Sequence, residues 1–181
     1  MTEPFDATLQ HTVDGAGCPH MAVLLETEAE LPAVLASFYR LGARRNGWLV
    51  HRFLPGQEER DRAALAEHGL EVGALEAAGR LQIVEFDVGE DAATWADPWS
   101  AKLDRALEAG FDALWYSRFA VGPEHSWENA VLFDRVWDRT FAGRPAITLC
   151  PYIVGALSAD ERDERAASVS EFHDSVLGLA D

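Results

Sequence analysis

The chain has 181 residues, 48% of them hydrophobic, with 31 acidic residues against 15 basic ones and a formal net charge of −16. This length suffices for one well-buried core and is short for two, so we expect a single domain. The excess of acidic residues disfavours nucleic acid and anionic membranes as direct partners.

The sequence also limits the compartment and the cofactors that we expect. No stretch reaches the roughly 18 apolar residues of a membrane-spanning helix, and the first residues lack the basic flank and apolar segment of a signal peptide. Cys18 and Cys150 lie far apart and match no metal-binding spacing, so reduced thiols are expected. We therefore predict a cytoplasmic protein without a cofactor or a metal site.

Residues 1–17 show little periodicity and contain Gly15 and Gly17, which predicts a flexible arm or a peripheral strand, and 18–181 form the predicted domain. An apolar run then predicts a first strand, and Thr27 with Glu30 predicts the cap of a helix. Pro32 lies deeper in that helix than proline is best tolerated, which allows for a displaced cap.

The rest of the chain alternates between apolar runs and helical patterns. Further strands are predicted at 48–53, 81–86, 113–119 and 146–150. Further helices are predicted at 58–68, 72–78, 97–110, 126–141, 158–167 and 168–177. This alternation predicts an α/β fold with three layers, α/β/α, around a mainly parallel sheet of five strands or slightly more.

The turn after the first strand carries no phosphate-binding chemistry. A phosphate loop needs several glycines and a lysine, whereas this turn reads Glu26-Thr27-Glu28. Carboxylates at this position would repel a triphosphate, so we predict a RecA-like layout without its phosphate loop.

The carboxyl ends of parallel strands converge on one crevice, where α/β proteins bind their ligands. The residues predicted to reach this crevice are Glu26, Thr27, Phe53, Asp87, Arg118, Phe119 and 150–152.

Several segments, taken in order, resemble one known family. They are 20–26, 47–50, 65–72, 79–84, 109–114 and 145–152. The series resembles the MEDS domain, a sensory domain named after methanogens, methylotrophs and the regulator DcmR, over residues 19–177. The resemblance implies a RecA/KaiC-like fold and the sensing of small molecules such as hydrocarbon derivatives. Such domains are usually fused to a DNA-binding or histidine-kinase output domain.

Two features depart from that family. Its members commonly carry an acidic residue late in the fourth strand, where this chain has Arg118. No output domain follows the last predicted helix, so we expect signalling through a partner protein.

Each polar candidate has a functional and a structural interpretation. His20 could bind or gate a ligand, although a cap or a core hydrogen bond is the commoner use. Glu26 is predicted to pair with Arg118 across adjacent strand ends, as a structural latch or as a binding group. Cys150 is expected to be an inert buried thiol rather than a redox sensor.

Aromatic residues near the crevice could line an apolar pocket or form ordinary core. They are Trp115, Tyr116, Phe119, Trp127 and Tyr152. The neighbours Glu124 and His125 could perform acid–base chemistry, but adjacent loop residues are a weak signal.

The sequence thus predicts a non-enzymatic sensory domain that binds a small, apolar ligand and acts on a regulatory partner, with transcription regulation as its context. The predicted ligand-binding residues are His20, Glu26, Trp115, Arg118, Phe119, Cys150 and Tyr152. One alternative is a protein-interaction module that docks on a kinase or an anti-sigma factor. Another is a residual nucleotide binder or an enzyme, and exposed aromatic residues leave a homodimer face open.

Overall fold

In the computed structural model of the protein, residues 2–87, 89, 91–123 and 125–178 are described, without the side chains of 2–4 and 92–94. The helices are α1 (Thr2–Ala16), α2 (Leu31–Arg44), α3 (Glu58–Glu67), α4 (Val72–Ala77), α5 (Ala92–Glu108), α6 (Trp127–Phe141) and α7 (Ala159–Ser170). The strands are β1 (His20–Leu25), β2 (Gly47–Phe53), β3 (Leu81–Glu85), β4 (Ala113–Arg118), β5 (Ala146–Ile153) and β6 (Ser175–Gly178).

The six strands form one parallel sheet in the order β3-β2-β4-β5-β1-β6. One face carries a core shared with α1 and α2, and the other carries a core shared with α5 and α6. Parallel strands buried on both faces explain the continuous apolar runs of the sequence. The predicted three-layer α/β/α fold is confirmed. Within the part of the chain that the structure describes, none of the helices combines the length and the apolar character of a membrane span.

The first segment differs from its prediction as a flexible arm or a peripheral strand. It forms helix α1, in which Phe5, Leu9 and Val13 recur at every fourth position and are buried in the core. This spacing places all three side chains on one face, which packs against α2. Gly17 ends the helix with φ +79°, and its N–H donates a hydrogen bond to the Val13 carbonyl.

The last segment was predicted to be helical over 168–177, and this is wrong beyond Ser170. Helix α7 ends there, and the four residues of β6 pair in parallel with β1. A run of four residues is too short to distinguish the period of a strand from that of a helix, so only the pairing with β1 determines its structure.

Two helix starts are displaced from the expected positions. The Thr27 N–H donates to the Glu30 carboxylate as predicted, yet this turn is a short 3₁₀ segment, and α2 begins at Leu31 with Pro32 in its first turn. Helix α5 begins at Ala92 rather than at the predicted 97, with Pro98 inside it. The helix tolerates this proline because Trp95 and its neighbours extend the buried face toward the N-terminus.

Gly155 follows β5 at a point where two backbone segments almost touch. A Cβ atom on this residue would lie 1.9 Å from the carbonyl oxygen of Glu26, closer than non-bonded atoms approach. Beside it, the Val154 N–H donates to the Leu25 carbonyl at 2.8 Å. The turns after β1 and β5 therefore leave no space for a side chain.

Gly155→Ala should lower the free energy of unfolding by about 1–3 kcal/mol, because the backbone around Glu26 must shift. Gly73→Ala in α4 is the matched control, since its Cβ would meet no described atom within 4 Å. Because Gly73 lies in the first turn of α4 and has a helical backbone, this change should leave stability unchanged or raise it by less than about 1 kcal/mol. Urea denaturation of both variants measures their free energies of unfolding. Equal changes in the two variants would contradict the close approach of the backbone at Gly155.

Candidate functional site

The candidate site is built around Asp134, a carboxylate that α6 directs into the protein. Asp134 follows Ala130 by four residues and precedes Trp137 by three, so it shares their inward face. Only 3% of the residue is exposed. A carboxylate removed from water in this way requires charged or hydrogen-bonding partners.

Strands β4 and β5 provide three of these partners. The guanidinium of Arg118, the last residue of β4, places Nη2 3.3 Å from Asp134 Oδ1. The Tyr152 hydroxyl donates a hydrogen bond to Oδ2, and the Cys150 thiol lies 3.5 Å from Oδ1. Because residues 150 and 152 alternate with 151 along β5, both point to the face covered by α6.

Two histidines complete the arrangement. His20, the first residue of β1, has Nδ1 2.6 Å from Asp138 Oδ1 and Nε2 3.5 Å from Cys150 Sγ. His173, just before β6, has Nδ1 2.7 Å from the Val169 carbonyl. The two imidazole rings lie 4.1 Å apart, centroid to centroid.

Burial determines the protonation of the cluster. Burial, aided by the nearby His20, lowers the pKa of His173 to about 4, so this imidazole is neutral at pH 7. Burial and then the Asp134 carboxylate raise the pKa values of Cys150 and Tyr152 well above their usual range. Burial disfavours the charged form of Arg118, but Asp134 together with Cys150, Tyr152 and Tyr116 outweighs this effect and raises the pKa of Arg118. The thiol is therefore protonated and a poor nucleophile.

An apolar groove of about 330 Å³ opens beside Arg118, at the carboxyl ends of β2, β3 and β4. Its apolar lining comprises Leu54, Phe86, Phe119, Val121, Ala130, Leu132 and Phe133. Leu132 at the rim is 43% exposed. This volume lies within the range of small-molecule sites.

Arg118 connects the groove to the buried carboxylate. A second space of about 10 Å³ shares Phe86, Phe133 and Arg118 with the groove, and its lining also includes Asp134 and Cys150 of the cluster. The volume of this space is about what a single water molecule needs. The aromatic rings therefore separate the groove from the cluster, and Arg118 is a polar contact that both share.

The structure places the predicted site residues in four locations. His20, Arg118, Cys150 and Tyr152 meet around Asp134, and Phe119 lines the groove.

Trp115 and Glu26 lie elsewhere. Trp115 is fully buried on the opposite face of the sheet, where its ring lies 5.1 Å from that of Phe38. Glu26 lies on the surface, where its carboxylate accepts hydrogen bonds of 2.7 and 3.0 Å from Arg162.

The predicted pairing of Glu26 with Arg118 is therefore wrong. The prediction assumed adjacent strand ends, but β5 lies between β1 and β4 in the sheet. Glu26 pairs with Arg162 of α7, and Arg118 pairs with Asp134 of α6.

Asp134 and His173 were not among the predicted site residues. Asp134 carried a usable signal, because it is a charged residue on the otherwise apolar face of a helix. The sequence offered no signal for His173, because the segment around it was predicted to be a helix rather than the turn that leads into β6.

The neighbours Glu124 and His125, which were a weak signal for acid–base chemistry, are only partly described. Glu124 lies outside the described residues, as do Val88 and Glu90 of the acidic segment after β3. The His125 Nδ1 accepts a hydrogen bond from the Gly122 N–H at 3.0 Å. This bond shapes the loop that leads into α6.

The chain matches the model of a known protein family. The family model described as "MEDS: MEthanogen/methylotroph, DcmR Sensory domain" matches residues 19–168. The matched range includes Arg118, Asp134 and Cys150 and ends before His173. No curated protein matches the chain.

Asp134→Asn should lower the free energy of unfolding by about 3–5 kcal/mol, because it leaves the buried Arg118 cation without its carboxylate. In an Arg118→Met background, Asp134→Asn should lower the free energy of unfolding by clearly less, since no buried cation remains. A double-mutant cycle by chemical denaturation measures the coupling.

Glu28→Gln is the control for this cycle. It breaks the exposed pair of Glu28 with Arg60 and should change stability by less than about 1 kcal/mol. If Asp134→Asn lowers the free energy of unfolding by no more than Glu28→Gln does, the buried ion pair does not stabilise the fold.

Proposed function

This chain belongs to the MEDS family of sensory domains, and from that premise we propose that it is a non-enzymatic sensor whose apolar groove binds a small organic molecule. The observation that carries the proposal is the groove itself, at the carboxyl ends of three parallel strands, with Arg118 in its wall. Parallel α/β proteins bind ligands at this edge of the sheet.

The lining of the groove favours one class of ligand. Phe86, Phe119 and Leu132 provide apolar contacts, and the polar part of the lining comprises Arg118, Asn129, Ser126, His125 and the carboxylate of Asp91. A short hydrocarbon derivative with one polar or halogen substituent matches this combination, with its apolar part against the rings and its substituent toward Arg118.

Arg118 also provides a route for signalling. A ligand group that competes for its guanidinium would weaken the bond to Asp134, and Asp134 belongs to α6. The ligand would then favour a different position of α6, whose outer face is open to a regulatory protein. We propose that this change of population, acting on a partner in transcription regulation, is the output of the domain.

Binding should be visible as a saturable rise in melting temperature with one member of a panel of short alcohols, amines and halogenated hydrocarbons. Asn129→Phe places a ring in the groove from an exposed position and should abolish the rise. Arg139→Phe adds the same ring to the exposed side of α6, away from the groove lining, and should leave the rise unchanged. Native mass spectrometry of protein from its own host tests for a ligand that co-purifies.

Three outcomes would contradict the proposal. They are the absence of any ligand in both experiments, equal binding by Asn129→Phe, and tight binding of ATP, which would favour the nucleotide-binding alternative. The interaction module would be favoured instead by a protein partner that is recovered in stoichiometric amount without any ligand. Such a partner would bind Asn129→Phe as well as the unmodified chain.

A further inference from the structure

Four side chains with metal-ligating atoms converge at the buried cluster. They are His20, Asp134, Cys150 and His173, all buried, and their candidate ligand atoms all lie within 4.8 Å of one another. Two imidazole nitrogens, one sulfur and one carboxylate oxygen form a donor set that suits Zn²⁺. We propose that this His/Cys/Asp cluster binds one Zn²⁺ ion in tetrahedral coordination.

The distances between the donor atoms agree with this geometry. Tetrahedral Zn²⁺ with bonds of about 2.0–2.3 Å keeps its ligand atoms about 3.3–3.7 Å apart. Cys150 Sγ lies 3.5 Å from both His20 Nε2 and Asp134 Oδ1, and these last two atoms are 3.9 Å apart. His173 Nε2 lies 3.9 Å from the other oxygen of Asp134. Because separations among the four ligand atoms extend to 4.8 Å, closing the coordination shell requires a movement of about 1 Å in at least one side chain.

The hydrogen bonds of both histidines prepare Nε2 as the ligand atom. A carbonyl oxygen can only accept, so the bond to Val169 places the proton of His173 on Nδ1. Its buried Nε2 then holds a lone pair and has no hydrogen-bond partner among the described residues. His20 presents Nδ1 to the Asp138 carboxylate. Outer hydrogen bonds of this kind orient the histidine ligands of metal sites.

The charges of the site also balance. Binding would replace the thiol proton of Cys150, which leaves to solvent, with a bond from sulfur to the metal. The thiolate and the Asp134 carboxylate neutralise the two positive charges of the ion. When Arg118, which contacts Asp134, and the Asp138 carboxylate, which contacts His20, are also counted, the cluster with its ion has no net charge.

A polar cavity of about 430 Å³ provides a path for the ion. Both histidines line it, together with the acidic residues Asp138, Glu171 and Asp174. Carboxylates around an opening raise the local concentration of cations. This cavity does not share lining residues with the apolar groove, so the metal proposal does not depend on the small-molecule proposal.

Titration of the chelator-treated full chain with Co²⁺, a spectroscopic substitute for Zn²⁺, tests the site. We expect one equivalent to bind with the intense visible bands of tetrahedral Co²⁺ and a sulfur-to-metal charge-transfer band, and Zn²⁺ to displace it. Cys150→Ala should remove the charge-transfer band and weaken binding by at least about tenfold. Cys18→Ala removes the exposed thiol and should leave both the charge-transfer band and the affinity for Co²⁺ unchanged.

His173→Ala tests the second imidazole and should also weaken Co²⁺ binding, with circular dichroism checking that each variant is folded. Failure to take up metal, a weak octahedral spectrum, or a charge-transfer band that depends on Cys18 would overturn the proposal. Asn129→Phe should bind Co²⁺ like the unmodified chain, so a failure of the metal site is distinguishable from a failure of the groove.

Discussion

The position of helix α6 on the sheet depends on one interaction, the burial of the Asp134 carboxylate among its polar partners. Asp134 is buried between α6 and the sheet, where an unpaired charge would cost several kcal/mol. Its partners come from β4, β5 and the segment before β6, which are distant in sequence. While Asp134 keeps these partners, helix α6 has one favourable position on the sheet, because a shift of one turn would separate Asp134 from both Arg118 and Tyr152. The apolar contacts around it are less selective, since aromatic rings can pack in several ways.

The sequence predicted the features that depend on local patterns. Apolar runs and helical periodicity identified five strands and the three-layer α/β/α fold. The short pairing of β6 and the order of the strands arise from contacts over long sequence distances, and so does the cluster. For this reason the polar candidates His20, Arg118 and Cys150 were found one by one, while Asp134, which brings them together, was not.

The proposed groove and the proposed metal site lie on two sides of the same carboxylate. Arg118 and a bound Zn²⁺ would each neutralise Asp134, so the strength of one interaction affects the other. A ligand that draws Arg118 toward the groove would leave Asp134 freer to coordinate the metal. Linkage requires the converse as well, so the metal content of the protein would change its affinity for the ligand.

The close approach at Gly155 has a mechanical consequence. Strand β5 carries Cys150 and Tyr152 in the interior, and its end is pressed against the backbone of Glu26. Arg162 of α7 bonds both the Glu26 carboxylate and the Gly155 carbonyl, at 2.7–3.0 Å. Arg162 thus connects α7 to the chain segments that follow β1 and β5. A displacement at the end of β5 would therefore act first on Arg162, whose helix α7 lies at the surface.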